Sequence, residues 1–219
     1  MNKSEGVSLS VIRRLPRYYR FLGELLNTDC FRISSKELSE KMSLTASQIR
    51  QDLNCFGGFG QQGYGYNVEA LHTEIGRILG LDNEKKAILI GAGNLGTAIV
   101  NQMDFENLSF DLCGVFDNAD EVIGTTLGGI KISHIDDLTD FCKQYSPSVA
   151  LLCIPKTAAK DLADTLIDLG IEGFWNFSHY DLAIDYHGVV VENVHLSDSL
   201  MTLSFRVHNN SSQKDKANY

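Results

Sequence analysis

The segment "AILIGAGNLGTAI" (residues 87–99) constrains this chain more than any other. Four apolar residues give a short buried-strand signal, and a helical pattern begins directly after the glycines. Gly91, Gly93 and Gly96 form Gly-x-Gly-x-x-Gly between the two. Gly91 permits a tight turn, Gly93 lets a pyrophosphate approach the backbone, and Gly96 lets helix and strand pack closely. Ala92, Asn94 and Leu95 complete the turn. The helix start then offers free N–H groups and partial positive charge to phosphates.

A second strand signal, "FDLCGVFD", ends at Asp117, 24 residues past Gly93 and near the ~20 such a site requires. A carboxylate there accepts hydrogen bonds from the adenosine ribose and repels a 2′-phosphate. Neither Asn118 nor the rest of "DNADE" supplies an Arg or Lys to offset that repulsion. The expected ligands are NADH and NAD+, not their phosphorylated forms. A glycine turn in an unrelated α/β fold is the competing reading.

Downstream, helix and strand patterns alternate: "HIDDLTDFCKQY", "SVALLCIP", "KTAAKDLADTLIDLG", "IEGFWNFS", then a further strand in "GVVVENVHL". Such alternation implies a mostly parallel sheet with right-handed crossovers. Pro155 and the turn holding Asn176 and Phe177 fall at carboxyl ends of strands, where ligands sit in such sheets. They are candidates for the nicotinamide end; ordinary loop punctuation is the alternative.

The front of the chain differs in charge. The net charge is −9 overall, yet residues 1–66 carry +3 and the remainder −12. A split of this kind marks a domain boundary and directs attention to nucleic acid at the basic end. "SVIRRLPRYYRFLGELLNT" repeats apolar residues at helical spacing, with Pro16 near the helix start and Arg13, Arg14 and Arg17 flanking it. "RISSKELSEKMSL" gives a short helix behind Ser34 or Ser35. "TASQIRQDLNCF" gives another, with Thr45 and Gln48 spaced as a capping box.

Two short helices and a tight turn read as a helix-turn-helix, the second helix entering the major groove. Ser47, Gln48, Arg50 and Gln51 would then face the bases, because Gln and Arg can pair with adenine and guanine edges. The glycine–aromatic run "CFGGFGQQGYGYNV" reads as a hairpin wing with Gln61, Gln62 and Gly63 at its tip, able with Tyr64 to touch phosphates or the minor groove. A helical interaction domain and a Gly-rich linker are the plainer alternatives.

The chain lacks a run of roughly 18 apolar residues, and its first ten residues lack the apolar core of a signal peptide. A cytoplasmic protein with no membrane partner is expected. Five cysteines without a Cys-x-x-Cys pair, and six histidines without His-x-x-x-His spacing, argue against a disulfide framework and a metal site. Cys55, just before the wing, is the thiol to watch. "SDSLMTLSFRV" reads as a short apolar helix that packs either on its own sheet or on a partner subunit.

Taken together the pattern resembles the Rex family of redox-sensing transcriptional repressors. "IRRLPRYYRFL", "ISSKELSEKM", "SQIRQDLNCFGGFGQQGYGYNV", "ILIGAGNLGTAI" and "WNFS" carry the resemblance, which covers roughly residues 8–207. It implies an α/β chain with an N-terminal winged helix (1–80), a Rossmann-like NAD(H)-binding domain (81–194) and a dimerisation helix exchanged between subunits (195–208); the polar composition of 209–219 reads as a disordered tail. It implies a homodimer that binds double-stranded operator DNA when NADH is scarce and leaves it when NADH rises. The sequence departs from the family pattern at Gln51, Gln61 and Gln62, where basic residues are usual, and at Gln102, where Tyr is common. Weaker phosphate attraction follows from the first three.

Two rivals come from other classes. An NAD-dependent oxidoreductase with an accessory winged helix would need an acid or base beside the nicotinamide, and His179 is best placed for it. His134, His187 and His195 sit in no catalytic motif either. A coenzyme A-binding fragment of a ligase would share the glycine turn but not the domain in front of it.

Overall fold

The computed structural model describes residues 7–28, 30–57, 60–61 and 64–217, without the side chains of 60, 61 and 211–217. The chain divides into two compact units, Met1–Asn83 and Glu84–Tyr219. The break falls three residues beyond the expected boundary at 80. The reason is local: Gly80 ends its helix at φ 72°, and the Leu81 N–H returns to the Gly76 carbonyl, so "GLDN" belongs with that helix.

The first unit holds α1 (Leu9–Ile12), α2 (Leu15–Leu26), β1 (Arg32–Ile33), α3 (Ser35–Met42), α4 (Ala46–Asn54), β2 (Gly60–Gln61), β3 (Gly65–Asn67) and α5 (Val68–Ile78). Pro16 sits in the first turn of α2, where its missing N–H costs nothing. The full capping box lies at α3. Ser34 Oγ accepts the Glu37 N–H at 3.1 Å, and Glu37 Oε2 accepts the Ser34 N–H at 2.7 Å. At α4 only half of the expected box forms: Thr45 Oγ1 accepts the Gln48 N–H, but the Gln48 amide turns toward Asp52. Tyr18, Leu22, Leu38, Met42, Ile49, Leu53, Phe56, Leu71 and Ile75 make one buried core.

The wing is a three-stranded sheet in the order β1-β3-β2. Its first strand, the pair Arg32–Ile33, is too short to show any periodicity in the sequence. Gly65 is held at φ 71°, where a Cβ would lie 2.7 Å from the Ile33 carbonyl oxygen. Only glycine lets β3 lie this close to β1. Gln62 and Gly63 lie outside the described residues.

The second unit holds β4 (Lys85–Ile90), α6 (Asn94–Gln102), β5 (Phe110–Asp117), β6 (Thr126–Leu127), β7 (Ile130–His134), α7 (Leu138–Tyr145), β8 (Val149–Leu152), α8 (Lys156–Asp168), β9 (Gly173–Asn176), α9 (Leu182–Asp185), β10 (Val190–Asn193) and α10 (Leu196–Ala217). Seven strands order as β10-β9-β8-β4-β5-β7-β6, all parallel except the β6–β7 pair. The strand order reverses between β4 and β8, so a crevice opens beyond their carboxyl ends.

One sheet face is covered by α7, α8 and α9 through Leu138, Cys142, Ala159, Ala163, Leu166 and Leu182. On the other face α6 packs Ile99 and Val100 over Ala87, Leu89 and Val115. Beyond α6 an apolar cavity of about 340 Å³ remains, lined by Met103, Phe105, Phe110, Val149, Leu151, Trp175 and Val190 among others.

The last helix runs past the expected boundary at 208: α10 continues to Ala217. Residues 196–217 contain neither Gly nor Pro to end it, and "SSQKDKA" tolerates helical geometry.

Candidate functional site

Two candidate surfaces emerge, one in each unit. In the first, Ser47, Arg50 and Gln51 are exposed on α4. Ile49 and Leu53 are fully buried beneath them. The α4 helix thus presents a polar face at the spacing a groove-reading helix needs. Arg50 is steadied by a 3.1 Å hydrogen bond from its guanidinium to Ser35 Oγ on α3. Arg13 and Arg17 are exposed near the start of α2. Tyr64, in the turn just before β3, is 69% exposed, with Arg32 lying 5.9 Å above its ring.

Arg14 and Gln48 are placed differently from the expectation. Arg14 donates from Nε and Nη2 to the two oxygens of Asp52, each at 2.7 Å. Gln48 Nε2 donates to Asp52 Oδ1 at 2.8 Å, and Tyr18 Oη to Oδ2 at 3.0 Å. Asp52 is 1% exposed. Burial pushes its carboxyl up, but the hydrogen bonds from Arg14, Gln48 and Tyr18 outweigh that and hold it below the usual carboxylate range. Burial, then the neighbouring Asp52 carboxylate, push the Tyr18 phenol well above its ordinary range. Reading residue types alone missed Asp52, because its burial follows only from packing.

In the second unit the glycine turn is built as its spacing requires. Gly91 is held at φ 98°, and a Cβ there would lie 2.5 Å from the Cys153 carbonyl oxygen. A Cβ on Gly96 would overlap the Gly91 carbonyl oxygen. Around Gly93 a Cβ would meet nothing within 4 Å. That open space lies at the N-terminus of α6, where no side chain caps the free N–H groups. Gly93, Asn94 and Leu95 are exposed there, while Ala92 is buried. These features fit a dinucleotide pyrophosphate.

Asp117 closes the β5 end of the crevice. Its carboxylate accepts from the Ala92 N–H at 2.6 Å, the Asn118 N–H at 2.7 Å and the Ala119 N–H at 2.9 Å. These bonds fix its orientation and tie it to the glycine turn. A cavity of about 380 Å³ brings Gly91, Asp117, Asn118 and Pro155 together, with Ile135, Ile154 and Leu162 as apolar walls. Its lining holds no Lys or Arg, only a further acid, Asp161. A flat apolar ring beside a ribose anchored on Asp117 fits this shape.

Asn176, expected at the nicotinamide end, is held by the protein's own hydrogen bonds. It is fully buried. Its Nδ2 donates to the Tyr180 carbonyl at 2.5 Å and to Asn193 Oδ1 at 2.7 Å. Its Oδ1 accepts from the Ser178 N–H at 3.0 Å and Ser178 Oγ at 2.6 Å. All four hydrogen-bonding positions of the amide are filled. Asn176 shapes the turn that presents Phe177, whose ring packs edge-on against Trp175 at 4.8 Å. His179 sits in the left-handed region at φ 58° and meets His195 Nδ1 to Nδ1 at 3.0 Å. Among the described residues no cluster of three or more His, Cys, Asp or Glu could hold a metal ion.

A winged helix joined to a dinucleotide-binding sheet defines a class: DNA-binding regulators that carry their own nucleotide sensor. Comparison with known proteins narrows it. Residues 6–54 match a family model described as a putative DNA-binding protein N-terminus, and residues 82–180 one described as a CoA binding domain. The chain is 52% identical over 208 residues to a redox-sensing transcriptional repressor Rex of Clostridium botulinum strain Eklund 17B, covering 95% of this chain and 99% of that one. It is 53% identical to the Rex of Clostridioides difficile strain 630, covering 92% of this chain and 96% of that one.

Among solved structures it is similar to RSP in complex with β-NAD+ and operator DNA. The identity is 51% and the TM-score 0.86, covering 95% of this chain and 96% of that one. For RSP with β-NADH the identity is 48% and the TM-score 0.86, covering 96% and 98%. The chain belongs to the Rex family of redox-sensing transcriptional repressors. It is a regulator and not an enzyme, which removes the dehydrogenase reading of His179. The coenzyme A description covers the Rossmann-like unit alone and leaves the winged helix unexplained.

Proposed function

We propose that this chain represses transcription by reading the NADH/NAD+ ratio, holding operator DNA when NADH is low and releasing it when NADH rises. The observation that carries this reading is the pairing in one chain of a polar groove-reading helix with a glycine cradle open at Gly93. RSP, crystallised with β-NAD+ and operator DNA and with β-NADH, supports the same ligands here.

In this reading the turn from Gly91 to Gly96 holds the pyrophosphate and Asp117 the adenosine ribose. Asn118 walls the adenine side together with Pro155, which the cavity puts beside Asp117 and not at the nicotinamide end as expected, and Phe177 flanks the nicotinamide. Ser47, Arg50 and Gln51 meet bases; Arg13 and Arg17 meet phosphates; Gln61, Gln62, Gly63 and Tyr64 form the wing contact. The bound dinucleotide supplies no reaction here: it is a signal. For it to act as one, the DNA-binding and DNA-free forms must differ in affinity for NADH.

The protein acts as a homodimer in the cytoplasm. Leu200, Leu203 and Phe205 on α10 are 68%, 56% and 66% exposed in the single chain. The apolar cavity over β8, β9 and β10 matches them in chemistry. The α10 helix of a second copy is its occupant. Among the described residues no helix is long and apolar enough to cross a membrane.

The deciding experiment is fluorescence anisotropy of a palindromic operator-like duplex with the purified protein at fixed salt, titrated with NADH and separately with NAD+. Release by NADH alone is expected. Binding indifferent to both nucleotides would overturn the reading.

A further inference from the structure

The buried carboxylate of Asp52 has no role in the function as described so far. It lies on the inner side of α4 and collects three donors from two elements: Arg14 and Tyr18 from the start of α2, and Gln48 from one turn earlier on α4 itself. A carboxylate this enclosed is stable only while those donors remain. The fork–fork pairing with Arg14 adds direction as well as energy, since a guanidinium fits a carboxylate in one plane. The α4 helix is therefore held at a set rotation about its own axis.

The same contacts have a second consequence. Gln48 stands at the third position of α4, where a groove-reading helix would place a base contact. Its amide is turned onto the buried Asp52 carboxylate, and one of its two N–H donors is spent there. Two of the Arg14 nitrogens are likewise committed.

We propose that Asp52 is the positioning residue of the recognition helix. By gathering Arg14, Tyr18 and Gln48 it fixes the rotation of α4 and leaves Ser47, Arg50 and Gln51 as its base-reading set. The proposal rests on α4 being the element that enters the groove. Asp52 touches no DNA in this scheme. Gln51, exposed on α4, takes over the adenine-reading chemistry that residue types alone would assign to Gln48.

The test uses full-length protein, an operator duplex, its single-base variants and a scrambled duplex of equal length, read by anisotropy at fixed salt. Asp52→Asn is expected to weaken operator binding by about tenfold or more while scrambled-duplex and NADH affinities stay as in wild type. A merely structural loss would lower operator and scrambled binding together. Arg14→Lys keeps the cation but loses the planar fork, so its operator discrimination falls between wild type and Arg14→Met.

Gln48→Ala and Gln51→Ala carry the test should Asp52→Asn fail to fold. Gln48→Ala weakens the operator and all its single-base variants by one common factor. Gln51→Ala relaxes the preference at one base pair, a change of about 1–3 kcal/mol in discrimination, or roughly 5- to 150-fold. Relaxed preference in both variants, or wild-type operator binding by Asp52→Asn, would overturn the clamp alone. Unchanged preference in Gln51→Ala would overturn the placement of α4 in the groove.

Discussion

Gly91, Gly93 and Gly96 are one residue type held in three different surroundings. At Gly91 both the backbone, with φ 98°, and the Cys153 carbonyl oppose a side chain. Gly91→Ala should destabilise the Rossmann-like unit by about 2 kcal/mol or more, seen as a lower melting temperature. Gly93 has φ −69° and open space around it, so alanine fits the free protein. Gly93→Ala should melt with the wild type, lose NADH affinity by about tenfold or more, and still bind operator, now deaf to NADH. A calorimetric NADH titration of this variant that matched wild type would remove Gly93 from the pyrophosphate site. The spacing of the motif made these roles legible. The role of Asn176 was not, because its four bonds depend on Ser178, Tyr180 and Asn193 meeting in space. Cys153 illustrates the same limit: burial pushes its thiol up to about 12, a setting that the residue name does not carry.

The α2 and α5 helices pack so closely that His72 stacks on Tyr19 with ring centroids 4.1 Å apart. Gly23 allows it: a Cβ there would lie 3.3 Å from His72 Nε2, and one on Gly76 would lie 3.0 Å from Tyr19. Burial lowers the His72 pKa below its ordinary value, so the folded helix pair prefers the neutral ring. In the unfolded chain the ring takes a proton near its ordinary value of about 6.5. The winged-helix unit should therefore lose stability as pH falls from about 6.5 toward the depressed folded value, and gain nothing above it. Thermal melts across that window should show the slope in wild type and a flatter one in His72→Phe, which keeps the stack but cannot titrate. Equal slopes would exclude His72 as the cause. Elements of this length were legible from periodicity: α2, α5, α6 and α8 all carry it, and β4 and β5 stand out as apolar runs. The pair Arg32–Ile33 and the hairpin of β6 and β7 were not, since two-residue strands and the mixed run Ile130–His134 offer no repeat. Pairing with Val115, Phe116 and Asp117 of β5 is what makes β7 a strand.

At the scale of the whole molecule the signal must pass between two ligands, and thermodynamics fixes its form. Whatever factor NADH takes from operator affinity, operator must take from NADH affinity. NADH titrations with and without saturating duplex should give the same ratio as duplex titrations with and without NADH; a mismatch beyond error would point to a third state. In the proposed dimer a palindrome is read by two recognition helices at once. The exposed apolar side chains of α10 and the apolar cavity beside β10 are the parts available to build that dimer. Burying a Leu or Phe is worth about 1.5–3 kcal/mol each, so three per helix, counted twice by symmetry, supply several times the energy a point contact could. Charges at the same positions reverse the sign of that contribution. The double variant Leu200→Asp/Leu203→Asp should therefore sediment as a monomer at micromolar concentration. It should keep NADH binding, since neither residue lines the dinucleotide cavity. Its affinity for the palindrome should fall to that for a single half-site, because the second winged helix no longer arrives tethered to the first. A dimer that survives both charges would show that some surface other than α10 holds the subunits together.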